Sequence, residues 1–198
     1  SVLYILEVMN QVYSAVWILE YENCYNLIKV EIPTNSDLQS IEENAFSNSN
    51  IKEIYLPKSL IELKEDWRKN TNKLNKIKVS PSNNQFIFKD DKYLLGKTNN
   101  NNNNYDEFNE LLFVQRDLDE ISIPTNITRI CEDAISNCSK LIKVEIPPNS
   151  NLQIIDKYAF SNSHIKTIFI PRSVTKICEN AFYGCKNLIK VEIPTDSN

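Results

Sequence analysis

One histidine, His164, five cysteines and a recurring set of carboxylates are the residues in this 198-residue sequence with the chemistry of a catalytic or metal site. The cysteines are Cys24, Cys131, Cys138, Cys178 and Cys185, and no two of them form a C-x-x-C pair, the spacing that holds zinc or a redox disulfide. His164 has no second histidine to share its work, and a serine or cysteine nucleophile needs a base within hydrogen-bond reach. The acids fall in a pattern: Glu42 and Glu43, Glu65 and Asp66, Glu132 and Asp133, then Asp156 and Glu179. Paired carboxylates can serve as general acid and base, and acids on neighbouring units, such as Glu43 and Glu65, can ligate calcium. The same residues can also open a helix, whose macrodipole favours negative charge in the first turn. Only that last reading accounts for every copy, so the sequence assigns no catalytic residue, no metal ligand and no cofactor.

The acids recur because the chain repeats. LIKVEIP stands at 27 to 33, at 141 to 147 and at 188 to 194. Copies of a longer unit begin at Leu27, Ile51, Leu74, Leu118, Leu141, Ile165 and Leu188, most of them 23 or 24 residues apart. In IKTIFIPRSVTKICENAFYGCKN, from 165 to 187, Ile168 and Ile170 alternate with Thr167 and Phe169, the period of a strand. Pro171 removes a ladder donor and ends it. The apolar positions Val174, Ile177, Ala181, Phe182 and Cys185 then fall three to four apart, which predicts an irregular stretch and one or two helical turns, with a bend back at Gly184. A unit this short cannot bury its apolar face alone. Stacking in parallel makes one continuous core, so the expected fold class is an α/β repeat solenoid with a parallel sheet of about seven short strands.

Composition narrows the function classes. A net charge of −4 gives no bulk attraction for nucleic acid or an anionic membrane. Two glycines, Gly96 and Gly184, leave no glycine-rich cradle for a nucleotide. The apolar opening SVLYILEVMNQVYSAVWILEY is interrupted by Glu7, Asn10, Gln11 and Glu20, which points to a folded end-piece rather than a membrane span. Residues 1–26 are expected to form a degenerate N-terminal repeat or cap. The last copy stops one strand in, so its core is expected to need a continuation.

The pattern I-x-x-I-x-I-P-x-S-V-T-x-I-x-x-x-A-F-x-x-C, clearest at Ile165 to Cys185 and Leu118 to Cys138, resembles the BspA-like (Treponema pallidum-type) leucine-rich repeats, from residue 27 to 198. The resemblance implies a right-handed superhelix and non-enzymatic, surface-exposed or secreted proteins of bacteria and protozoa that bind a protein or host-surface ligand in adhesion. The alternative is an intracellular interaction or assembly module. The family's unit carries Gly where this chain has Glu42, Lys64, Cys131, Asp156 and Cys178, and Trp67 and Arg68 replace the usual Ala-Phe.

Repeats are expected over 27–79 and 118–198, separated at 80–117 by an insertion. There FIFKDDKYLLG reads as a β-hairpin, LLFV at 111 to 114 as a third strand beside it, and the asparagine tract within 98–106 as a mobile loop. VSPSNNQF at 79 to 86 resembles the family's own route into such a hairpin. Cys131 and Cys178 share one repeat column, and Cys24, Cys138 and Cys185 another that elsewhere holds Ser49, Thr71 and Ser163. Partners two units apart are too far to bridge, so buried free thiols selected for small size are expected.

Outward strand positions should form two columns. One reads Lys29, Glu53, Lys76, Glu120, Lys143, Thr167, Lys190, and the other Glu31, Tyr55, Lys78, Ser122, Glu145, Phe169, Glu192. Opposite charges on adjacent strands attract, by a few tenths of a kcal/mol each. With lysines and glutamates in balance the face is near neutral and no phosphate-tracking groove is expected. Tyr55 and Phe169 are its aromatic candidates for protein recognition, unless each only covers its neighbours on the sheet.

Overall fold

The computed structural model describes residues 25–98 and 107–194. The expected cap within 1–26, Cys24 and the asparagine tract therefore lie wholly or mostly outside the described residues. The chain divides into two compact units, Ser1–Phe88 and Lys89–Asn198, each a stretch of parallel-stranded repeat solenoid.

In the first unit the repeat that begins at Ile51 contributes two strands, β2 (Glu53–Leu56) and β3 (Glu62–Leu63), and the one before it only β1 (Ser40–Ile41). Inner strands β2 and β4 (Lys76–Val79) pair in parallel with Glu53 beside Lys76 and Ile54 beside Ile77. β1, which precedes β2 along the chain, and β3, which lies between β2 and β4, form a second, two-residue parallel ladder. Alternation buries Ile54, Leu56 and Ile77 and turns Glu53, Tyr55, Lys76 and Lys78 outward. A further strand, β5 (Phe86–Lys89), leads along the chain to the second unit.

The second unit opens on a tight turn. Asp90 and Asp91 both hold positive φ, 55° and 51°, and the Lys92 N–H donates to the Lys89 carbonyl at 3.0 Å, the left-handed pair that two-residue hairpin loops require. The strand that follows, β6 (Tyr93–Gly96), runs antiparallel to β7 (Glu110–Val114). β7 also pairs in parallel with β9 (Arg129–Ile130), so LLFV is both the third strand of the insertion and the first rung of an arc ladder. That ladder continues through β11 (Ile154–Ile155) to β13 (Lys176–Ile177). The inner sheet has the order β14-β12-β10-β8, from β8 (Glu120–Ser122), β10 (Lys143–Glu145), β12 (Thr167–Phe169) and β14 (Lys190–Glu192).

Two expectations are corrected. Among the described residues there is no helix: the expected helical arcs are turns plus the two-residue strands. The acids thus do not cap helices. Each arc instead has two left-handed residues, the first being Asn44, Asp66, Asp133, Tyr158 or Asn180 and the second Asn48, Asn70, Asn137, Asn162 or Gly184. Asn and Asp tolerate this region better than other side chains, so amides and carboxylates supply most of the turns that a glycine-poor chain cannot give to glycine, Tyr158 being the exception. Asp66 and Asp133 occupy these turns, and the other six acids stand one or two residues before them. The expected seven inner strands are also too many, because residues 27–33 carry no strand although the same heptapeptide forms β10 and β14.

The core runs as expected within each unit. Ile54 and Ile77 are side by side and buried in the first; Ile121, Val144 and Ile168 are buried in the second. Val30, expected in the same row, is only half-buried.

Candidate functional site

Parallel ladders fix the outward columns in space. In the second unit Lys143 stands between Glu120 and Thr167, Glu145 beside Ser122, and Phe169 beside Glu192. Lys143 and Glu120 form the cross-strand ion pair that the alternation predicts, at 3.7 Å. Lys190 pairs within its own strand with Glu192, at 2.6 Å. Beneath this face the Tyr93 hydroxyl donates to the Ser122 carbonyl at 2.8 Å, and burial raises the Tyr93 pKa.

In the first unit Glu53 turns diagonally to Lys78, at 3.6 Å, and not to its register partner Lys76. Lys29 bonds Glu31 two residues on, which raises the lysine pKa, first through that hydrogen bond. The zipper of neighbouring charges is therefore partial, because long side chains reach diagonal partners as easily as opposite ones. Tyr55 is half-buried between these groups. A hollow of about 230 Å³ lies here, lined by Lys29, Val30, Glu31, Ile32, Glu53, Ile54, Tyr55 and Lys78. That volume is below the roughly 300 to 1,000 Å³ of small-molecule pockets. Phe169 is half-buried on the second unit's face.

Reading the sequence missed the second ladder and the polar row outside it. Arg129 on β9 donates from Nε to Asp156 Oδ2 at 2.5 Å, Cys178 Sγ donates to the other oxygen of Asp156 at 3.5 Å, and Glu110 on β7 is the register partner of Arg129. Burial pushes the Glu110 pKa up, against the pull of Arg129 and of the Thr98 hydroxyl at 3.3 Å. Burial, first, and the neighbouring Asp156 carboxylate raise the Cys178 thiol pKa, which disfavours the thiolate. The available signal was the apolar residue at Ile41, Leu63, Ile130, Ile155 and Ile177, one position before Glu42, Lys64, Cys131, Asp156 and Cys178, which fits an extended step as well as a helical one.

The described cysteines are free, as expected, yet only Cys138 is buried; Cys131, Cys178 and Cys185 are half-exposed. Cys131 and Cys178 share a column that is open elsewhere too, at Glu42, Lys64 and Asp156, whereas Cys185 lies in the last described arc of a column buried at Ser49, Thr71, Cys138 and Ser163. Column chemistry is also more than small size: Thr71 Oγ1 donates to the Phe46 carbonyl and Cys185 Sγ to the Phe160 carbonyl, each at 3.0 Å and each 25 residues back. His164 is exposed, its backbone N–H bonded to the Cys138 carbonyl at 3.2 Å. Among the described residues no group of three His, Cys, Asp or Glu side chains is placed to hold a metal ion, and no helix is long and apolar enough to cross a membrane.

Comparison with known proteins bears on the repeat directly. The family described as BspA type leucine rich repeat region matches residues 19–104 and 106–198, in six copies. No curated protein matches the sequence. Among solved structures, the fold is similar to the pneumococcal vaccine antigen PcpA, at 20% identity and a TM-score of 0.64, over 84% of this chain and 45% of that one. A leucine-rich repeat protein from Eubacterium ventriosum is 22% identical with a TM-score of 0.63, over 80% of this chain and 40% of that one. A leucine rich cell surface protein from Faecalibacterium prausnitzii is 22% identical with a TM-score of 0.55, over 87% and 55%. The chain spans about half the length of these structures.

Proposed function

We propose, from the fact that the chain belongs to the BspA-type leucine-rich repeat family, that it is a non-enzymatic scaffold whose outward strand face binds a protein or host-surface ligand in adhesion. One observation carries the reading. Parallel ladders hold two columns of side chains in fixed register, with a half-buried aromatic residue among paired charges on each unit: Tyr55 beside Lys78 and Phe169 beside Glu192. An aromatic anchor with a polar surround is the arrangement of a protein-binding hot spot. The shallow hollow at Tyr55 suits a macromolecular surface better than an enclosed small molecule. Surface or secreted localisation is supported by the family and by the named cell surface protein of similar fold.

Four free thiols in the described chain favour a second reading, an intracellular interaction or assembly module, since the cytosol keeps cysteines reduced. The binding face would be the same. Tyr55→Ser and Phe169→Ser should each weaken capture of the partner by about tenfold, the effect of losing a hot-spot aromatic. Pull-down from host surface extract and from cytosolic extract, scored against the wild-type chain, separates the two compartments. Unchanged capture by both variants would remove the strand face as the site.

A further inference from the structure

We propose that the outward face of the second unit takes an arginine side chain of its protein partner, held between the Glu145 carboxylate and the Phe169 ring. The inference rests on the strand face as the binding surface and names the chemistry that this face selects. The three copies of LIKVEIP carry it. In the copy at 27 to 33 Lys29 bonds Glu31, and in the copy at 188 to 194 Lys190 bonds Glu192 at 2.6 Å, so each lysine closes on its own segment. In the copy at 141 to 147 the lysine is drawn away. Lys143 reaches across the ladder to Glu120, at 3.7 Å, and among the described residues Glu145 is left without an ion pair.

The neighbouring strand causes the difference. Lys143 stands in register beside Glu120, an acid, whereas Lys190 stands beside Thr167, which offers no charge. Glu145 is exposed, and β10 is laddered on both sides, so this open carboxylate lies within the sheet face and not at its edge. On one side it meets Ser122. On the other, the register that sets Lys143 beside Thr167 brings Glu145 alongside Phe169 two residues on. The ring is half-buried, and beyond it Glu192 is already matched by Lys190.

Neighbouring parallel strands lie about 4.8 Å apart. At that separation one planar guanidinium can donate to the carboxylate and still lie within about 6 Å of the ring centroid, where the ring's electron-rich face attracts a cation. An ammonium matches the carboxylate but cannot stack, and it is the more strongly hydrated ion, so arginine fits better than lysine. The first unit supplies the contrast. There Glu53 is met by Lys78 and Glu31 by Lys29, and the outward group left without an ion pair among the described residues is a cation, Lys76. Arginine should therefore select Phe169 over Tyr55.

Residue-resolved NMR titration of the 198-residue chain tests this, with the peptide acetyl-Gly-Ser-Arg-Ser-Gly-amide and its counterpart carrying uncharged citrulline in place of arginine. The arginine peptide should shift the Glu145 and Phe169 amides with a Kd on the order of 1–10 mM, at least about fivefold tighter than the citrulline peptide, and Tyr55 should show no such preference. Glu145→Gln should abolish the preference, and Phe169→Leu should weaken the arginine peptide about threefold. Glu120→Gln leaves both proposed contacts in place, yet it should cut the preference to about twofold, because Lys143 can then close on Glu145 as the lysines of the other two copies do. Dispersed spectra report that each variant folds. No shift, equal shifts by the two peptides, or a preference that survives Glu145→Gln or Glu120→Gln unchanged overturns the proposal. If Phe169→Ser still weakens capture of the whole partner in that event, only the arginine is lost, whereas capture indifferent to Phe169→Ser removes Phe169 from the binding face itself.

Discussion

Gly184 holds φ at 68°, and a Cβ built there would stand 2.2 Å from Asn162 Oδ1. The obstructing atom is the tip of a side chain that can rotate, and four equivalent positions carry Asn in the same conformation. Gly184→Asn should therefore change stability by less than about 0.5 kcal/mol, while Gly184→Val, β-branched in the left-handed region, should cost roughly 1–2 kcal/mol or more in urea denaturation. Glu110 gives a pH signature. Its folded pKa is raised by burial, so between the unfolded value and that raised value the native state holds more protons than the unfolded state, and stability falls as pH climbs through the window. Glu110→Gln should flatten this slope, with its gain over wild type largest at neutral pH and vanishing in acid; thermal melts across pH check it, and an unchanged slope would assign the trend to other groups. At this scale the sequence was legible in part. Gly184 announced its bend, but the left-handed role of Asn44, Asp66, Asp133 and Asn180 was hidden, because acids and amides near an apolar i, i+3 pattern fit a helix start equally well.

Inner strands follow from alternation, and their energetics from burial. Ile168, 2% exposed in the β12 ladder, should cost about 2–4 kcal/mol when truncated to Ala, whereas Ile189, 83% exposed, should cost less than about 0.5 kcal/mol. Chemical denaturation of the two variants makes the comparison. Between repeats, the Thr71 hydroxyl reaches back to the Phe46 carbonyl from a fully buried site. Thr71→Val should lose roughly 1 kcal/mol and Thr71→Ser much less, which separates the donor from the volume it fills. The strand-and-proline part of each unit was readable because Pro57 and Pro171 stop what period two begins. The arc was not, since two-residue strands are too short to show a period and their ladder bonds come from repeats 22 to 25 residues away. Hairpin residues Asp90 and Asp91 stood out because two short apolar runs, FIF and YLL, flank them closely.

For the whole molecule, periodicity revealed the fold and its family, while the chemistry of a partner stayed out of reach, because a neutral, balanced face attracts no single ligand class. LIKVEIP makes the cause of that fold measurable: three identical segments have three different settings, laddered on both sides at β10, on one side at β14, and on neither among the described residues at 27–33. Identical sequences share their internal intrinsic exchange rates, so any difference in protection reports neighbours alone. Amide hydrogen exchange at high dilution, resolved by residue, should find Lys143–Glu145 slowest, Lys190–Glu192 intermediate and residues 29–31 fastest. Equal protection of all three would contradict the account, since the strand would then reside in the heptapeptide itself and not in the stack around it.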